Sequence, residues 1–308
     1  MRISLLLFLM ICSSTVRADD TLRIAFWNVE NLFDSHRNLA TPNEDLFVPS
    51  TLNTKLRKDG EIIRELNADI VGLMEVENHH ILKRLVKERL ADMGYQYTAL
   101  IDGEDERGID CALISRHPFT CTTIEVPGFY RSLLLARFVI NGEPLYVIVN
   151  HWKSRFNDGS EQRMSCANSV LKAVNELIPA MEHGRLVPIV IGGDLNDNDW
   201  NESVVHLEQQ GLVNTLKSLP EEQRWTLPYD NRDAGKVEFD SFDHVFINST
   251  LKDGSAIRWA SSQVIRPARM VTSRAINGES YMWPDDDHDD HIGYSDHFPV
   301  VTELKITK

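Results

Sequence analysis

The chain has 308 residues, with 46 acidic against 32 basic side chains and a formal net charge of −14. That balance excludes a protein that coats nucleic acid through a broad basic face, because such binding is driven by counterion release from phosphates. It does not exclude an enzyme acting on anions, since bound cations invert the local field even on an acidic molecule.

Arg2, an apolar run from Ile3 to Cys12 and the closing Val16-Arg17-Ala18 have the form of a signal peptide cleaved near Ala18. The run is well short of the ~20 residues that span a bilayer, and no later stretch approaches that length. A lipoprotein signal is disfavoured because bulky Ile11 precedes Cys12 where a small residue is wanted. Residues 19–308 are expected to form one secreted or periplasmic domain, without a membrane span and monomeric. Losing Arg2 and Arg17 would move the charge from −14 to −16. Cys111, Cys121 and Cys166 remain, an odd number that makes no disulfide framework. Cys111 could pair with Cys121 across a strand-turn-strand, or the thiols could be buried and free.

Short β-rich apolar runs then alternate with helical spacing. A strand is expected over 22–27, an amphipathic helix over 55–67, a strand over 70–74 and a second helix over 81–93, where Leu82, Leu85, Val86 and Leu90 share a face. Strands over 109–115, 133–140 and 145–150 follow, the last two joined by an Asn141-Gly142 turn. A helix over 162–181 leads to a strand over 187–191, and late strands are expected over 242–247 and 298–304. This mixture predicts an α+β layered sandwich, two packed mixed sheets covered by helices.

Carboxylates, amides and imidazoles gather where these strands end: Asn28 and Glu30, Glu75, Asn150 and His151, Asp194 and Asn196, Asp243 and His244, Asp296 and His297. Singly, each has an ordinary structural explanation, since Asn and Asp are common turn formers after strands. Jointly, they predict a hard-oxygen metal site beside an acid/base pair.

The segments Phe26-Trp27-Asn28-Val29-Glu30-Asn31-Leu32, Gly193-Asp194-Leu195-Asn196 and Ser295-Asp296-His297-Phe298-Pro299 resemble the signature segments of endonuclease/exonuclease/phosphatase proteins. The resemblance spans nearly all of residues 19–308, and Arg107 to Ile114 looks like the strand that bacterial secreted members carry there. It implies a four-layer α/β/β/α sandwich and a metal-dependent phosphodiester hydrolase. Glu75 would be the main metal carboxylate, with Asn28, Glu30 and Asp296 completing or supporting the shell around Mg²⁺ or Mn²⁺, with Ca²⁺ a further candidate. His297 would be the catalytic histidine and Asp243 the carboxylate orienting it. Asp194 would position or deprotonate water, Asn196 would bind a phosphate oxygen, and His151 would assist phosphate binding or the leaving oxygen. Whether Asp194 or His297 activates the water stays open. The substrate would be a phosphodiester, nucleic acid first, with Asn150, Arg107, Lys153 and Arg155 contacting it.

Met74 stands where many members have glutamine, and the tyrosine of AP endonucleases is not evident, which argues against AP-site specificity. A phosphatase, a phospholipid phosphodiesterase and a catalytically silent binding protein are the competing functions. The lipid reading needs an exposed aromatic hairpin, for which Tyr281-Met282-Trp283-Pro284 is the candidate. Asp285 to His291 lacks the spacing of an EF-hand and is expected to be a solvated loop at the rim of the site. Lys153, Arg155 and Arg163 are either a phosphate-facing patch or ordinary surface charge.

Overall fold

A computed structural model describes residues 20–36, 46–182, 184–254, 256–286 and 293–307. The segment expected to be a signal peptide, and residues 287–291 of the acidic loop, lie outside these.

Two six-stranded mixed sheets form the frame. The first contains β1 (Asp20–Leu32), β2 (Ile70–Val76), β3 (Tyr97–Ile101), β4 (Asp110–Ser115), β15 (Ile257–Val264) and β18 (Val300–Ile306), in the order β15-β18-β1-β2-β4-β3. The second contains β5 (Phe119–Ile124), β6 (Leu133–Ile140), β7 (Glu143–His151), β10 (Ile189–Asp194), β11 (Val213–Asn214) and β14 (Asp243–Ile247), in the order β11-β14-β10-β7-β6-β5. Three two-stranded ribbons are added: β8–β9 (Met181–Glu182 with Arg185–Leu186), β12–β13 (Leu227–Asn231 with Lys236–Asp240) and β16–β17 (Val271–Ile276 with Glu279–Pro284). The helices are α1 (Pro49–Leu66), α2 (His79–Arg89), α3 (Ser160–Lys172, continued by a π turn at Ala173–Leu177), α4 (Glu202–Gln209) and α5 (Ser249–Asp253).

Three cores separate four layers. Leu52, Leu56, Ile62 and Ile63 of α1 and Ile81, Leu82 and Leu85 of α2 pack on Trp27, Val71, Leu73 and Ile114 of the first sheet. Phe26, Ile70, Met74 and Leu113 face Phe138, Val147, Val149 and Val190 between the sheets. Ala167, Val170, Val204 and Leu207 of α3 and α4 cover Ile148, Ile191 and Phe246 on the far side. The α/β/β/α sandwich follows from strands buried on both faces, which show as continuous apolar runs. Phe26 is central to the sheet-to-sheet contact: a Cβ at Gly192 would lie 2.4 Å from its ring. Asn141 (φ 50°) and Gly142 (φ 86°) make the expected tight turn between β6 and β7.

Of the two alternatives, the Cys111–Cys121 pair is not formed, and the three cysteines among the described residues are free. β4 and β5 belong to different sheets, so Cys111 is buried between the layers while Cys121 faces outward on an edge strand.

Candidate active site

Strand register builds the site. On the second sheet, Asp194 at the end of β10 pairs with His151 on parallel β7 and with Asp243 on antiparallel β14, so three adjacent strands deliver three functional residues side by side. Gly193 makes this possible: its φ is +129°, and a Cβ there would meet the Asn150 carbonyl oxygen at 2.1 Å. On the first sheet, β1 and β2 run parallel with Asn28 opposite Met74, and register breaks beyond that pair turn Glu30 (φ 54°) and Glu75 (φ 65°) into left-handed backbone. Asn196 is likewise at φ 52°. Such positions cost about 1–3 kcal/mol each and persist where the surroundings over-determine them.

The side chains converge. His297 Nδ1 lies 2.6 Å from Asp243 Oδ2, and its Nε2 lies 3.8 Å from Asp194 Oδ2 and 3.9 Å from Asp296 Oδ1. The ring's backbone is held by Trp27, whose indole N–H donates to the His297 carbonyl at 3.0 Å. The His297 N–H donates to Ser295 Oγ at 3.0 Å. Asn28 Nδ2 donates to Glu75 Oε1 at 3.2 Å and to Asp194 Oδ2 at 3.0 Å, joining the two sheets' carboxylates through one amide. His151 Nε2 is 3.6 Å from Glu75 Oε1 and 3.7 Å from Asp194 Oδ2.

Electrostatics divides the two histidines. Burial alone would lower the His297 pKa, but Asp243, Asp296 and Asp194 together outweigh it and hold the imidazole charged well above its usual range. His151 has the opposite balance: burial, Arg131, His297 and Arg107 all push it well below its usual value, so it is neutral. Burial pushes the Asp194 carboxyl up, with His297 opposing. With one ring nitrogen of His297 bonded to Asp243 and the protonated ring offering no lone pair, the carboxylate is the better proton acceptor of the two.

Among the described residues, Asp194, Asp243 and His297 place one ligand atom each within 4.8 Å of one another, close enough to share an ion. That group shares no residue with the expected set of Glu75, Asn28, Glu30 and Asp296. The oxygen atoms on the Glu75 side are a second set with the hard-donor chemistry that a divalent cation takes. Two carboxylates, those of Glu75 and Asp194, meet there at the Asn28 amide.

Several expected site residues do other things. Asn150 is fully buried: its amide donates to the Ile148 and Gly192 carbonyls and its oxygen accepts from Trp152, so it braces β7 against β10 and presents nothing to a substrate. Asn28 turns its nitrogen, not its oxygen, toward the carboxylates, because Oδ1 accepts the Glu30 N–H at 2.9 Å. In this arrangement its amide nitrogen bridges the two acids. Glu30 Oε2 accepts the Asp296 N–H at 2.9 Å and thereby holds the His297 segment. Asn196 donates to Asp194 Oδ2 at 3.2 Å and to the Trp152 carbonyl, so its amide aims inward. Lys153 Nζ is taken up by Ser154 and Phe156 of its own loop. Arg163 is buried, paired with Asp197 at 2.9 Å and bonded to loop carbonyls, which removes it from any surface patch. Arg155 and Arg107 stay exposed, the first bonded to Asn196 O and Asn201, the second to Asn31. Tyr281 to Pro284 do form a hairpin strand, but Trp283 is 4% exposed and bonded to Asp286, so the ribbon shows no aromatic tip of the kind a lipid surface would need.

Arg131 was not legible in the sequence. It sits before β6, ion-paired to Asp105 at 2.5 Å, with its Nη1 3.3 Å from His151 Nε2 and 3.4 Å from Nδ1. It brings a buried cation to the edge of the carboxylate cluster. Its only local signal is the Phe129-Tyr130 pair on which it stacks.

The sequence profile of the Endonuclease/Exonuclease/phosphatase family matches residues 23–306. The chain belongs to that family. The endonuclease/exonuclease/phosphatase fold also recurs in solved structures. Zebrafish (D. rerio) TDP2 complexed with a single-strand DNA product is 21% identical, with 93% of this chain and 99% of that chain covered and a TM-score of 0.62. An endonuclease/exonuclease/phosphatase family protein from Bacteroides thetaiotaomicron is 16% identical, covering 95% and 100%, with a TM-score of 0.60. A mannosyl-6-phosphatase from the same organism is 16% identical, covering 92% and 99%, with a TM-score of 0.58. At these identities the likeness is one of fold. No curated protein matches. The endonuclease/exonuclease/phosphatase chain thus has a phosphodiesterase/phosphatase fold with a candidate metal-binding group at its strand ends.

Proposed function

We propose that this protein is an extracytoplasmic, divalent-metal-dependent phosphoester hydrolase whose first substrate class is the phosphodiester of nucleic acid. The observation that carries the reading is Asp194, a buried carboxylate 3.8 Å from the charged His297 and bonded to the amide that also holds Glu75. Asp194 takes the proton of the attacking water, and His297, kept charged by Asp243, stabilises the anionic phosphoryl group and supplies a proton. Neutral His151, flanked by Arg131, lines the phosphate side. Glu75, with Asp296 in support, would hold Mg²⁺ or Mn²⁺, with Ca²⁺ as the third candidate. The ion neutralises charge developing on phosphoryl oxygens when bound. Supporting the nucleic-acid reading, zebrafish TDP2, which shares this fold, is complexed with a single-strand DNA product. The chain would act as a monomer once its N-terminal segment is removed near Ala18.

A phosphomonoesterase is the second reading, favoured by the rim of the site. The cleft of about 570 Å³ beside Asp296 is lined by Asp230, Asp233 and Asp286 against Arg232 and Arg274, an excess of acid that opposes a long polyanion. The Bacteroides thetaiotaomicron mannosyl-6-phosphatase shares this fold. Plasmid DNA, RNA, bis-p-nitrophenyl phosphate and p-nitrophenyl phosphate, each assayed with Mg²⁺, Mn²⁺ or Ca²⁺, separate the two. Turnover of DNA or the diester supports the nuclease. Turnover of the monoester alone replaces it with the phosphatase.

A further inference from the structure

Lys55 is buried on α1 at 2% side-chain exposure, ion-paired to Asp59 at 3.1 Å. Burying such a pair is costly, and apolar residues of similar volume frequently serve stability as well or better. What the ammonium touches is informative. Its Nζ donates to the carbonyl of Val29 and, at 2.6 Å, to the carbonyl of Tyr294. Val29 lies between Asn28 and Glu30, and Tyr294 precedes Ser295, Asp296 and His297.

Each carbonyl belongs to a peptide leading directly into the site. The Val29–Glu30 peptide gives its N–H to Asn28 Oδ1 at 2.9 Å, which leaves Asn28 Nδ2 facing Glu75 and Asp194. The Tyr294–Ser295 peptide carries Ser295, whose Oγ donates to the Asn28 carbonyl at 2.7 Å and accepts the His297 N–H at 3.0 Å. One buried cation therefore ties together the end of β1 and the segment bearing His297.

We propose that Lys55 is a positioning residue that sets the orientation of the Asn28 amide and the placement of His297 through these two carbonyls. Asp59 neutralises it and keeps the ammonium at the junction. The proposal rests on the phosphoester-hydrolase reading for its kinetic consequence, but not for its structural one.

The variant K55M/D59L removes both charges and keeps apolar stems, so it avoids the uncompensated Asp59 that K55M alone would leave. Two readouts are taken: kcat and KM on bis-p-nitrophenyl phosphate with Mg²⁺, and the low-field proton resonance of the His297–Asp243 hydrogen bond. A folded variant is expected to lose kcat on the order of 10²-fold with KM little changed, as displacement of reacting groups by an ångström does. Its resonance is expected to shift or broaden. A folded variant with unchanged kcat and unchanged resonance overturns the proposal, as does an activity loss that only follows the unfolded fraction. If K55M/D59L does not fold, K55R, which keeps the charge but moves the donor atoms, is read by the same measurements against the same outcomes. If the parent protein hydrolyses no phosphoester, the functional reading falls, and the resonance alone decides for or against Lys55.

Discussion

His297 Nδ1 and Asp243 Oδ2 lie 2.6 Å apart, both buried, and their pairing decides the charge of the imidazole. Burial by itself would leave the ring neutral. Asp243 is the largest of the three carboxylate influences that reverse this, ahead of Asp296 and Asp194. In Asp243→Asn the burial effect gains weight and the imidazole loses its proton at lower pH. The descending alkaline limb of the kcat–pH profile is expected to move down, with kcat at neutral pH falling on the order of 10²-fold or more. An unmoved limb would separate His297 from the titration that controls turnover.

Asp194→Asn keeps the size of the side chain and its place between His151 and Asp243 in the sheet but removes the proton acceptor. Turnover should fall by about 10²–10⁴-fold, the span expected of a general base. Far-UV circular dichroism and the melting temperature should stay near those of the parent. Residual turnover within a factor of a few would transfer the base role elsewhere.

Gly193→Ala tests the backbone that delivers Asp194. The substituted Cβ would collide with the Asn150 carbonyl, and φ of +129° is a region that residues with a Cβ rarely occupy. A loss of stability greater than about 1–3 kcal/mol is expected, measured by urea unfolding. Neutral behaviour would mean that the β7–β10 register tolerates a shift.

Stability should also respond to pH through Asp110. Burial, partly offset by the Gly103 N–H that donates to it, raises this carboxyl from 3.8 to about 7. The folded state then holds the proton more tightly than the unfolded state. The contribution is fully present below pH 3.8 and is lost as pH rises through about 7. Asp110→Asn removes that dependence, so its melting temperature should exceed the parent's above neutrality and the two should converge in acid. Parallel melting curves across pH 4–8 would contradict the assignment.

How much of this could be read from the sequence depended on burial. β2 and β7 are covered on both faces, so Ile70 to Met74 and Leu145 to Val149 appear as unbroken apolar runs, whereas β6 is interrupted by half-buried Arg137 and exposed Val139. The β12–β13 and β16–β17 ribbons are half exposed, and their short strands mix apolar with charged and polar residues without a buried run to mark them. The helix expected over 162–181 gives way after Lys172 to a π turn, ending at Leu177. Asp194, Asp243 and His297 were visible because polar residues close apolar strands. Asn150 and Arg163 had the right chemistry for contacting phosphate, yet burial turns both toward the scaffold. Lys55 and Arg131 were missed for the converse reason: their partners lie on elements distant in sequence, and within α1 Lys55 is one more polar residue of an amphipathic pattern.

The most direct test of the central claim is hydrolysis of bis-p-nitrophenyl phosphate by the parent protein and by His297→Ala, each with Mg²⁺ or with EDTA. Turnover is expected from the parent with Mg²⁺ alone, abolished by the chelator, restored by added metal, and lower by at least about 10²-fold in the variant. Turnover that survives both EDTA and the loss of His297 would contradict a metal-dependent hydrolase built around the Asp243–His297–Asp194 cluster.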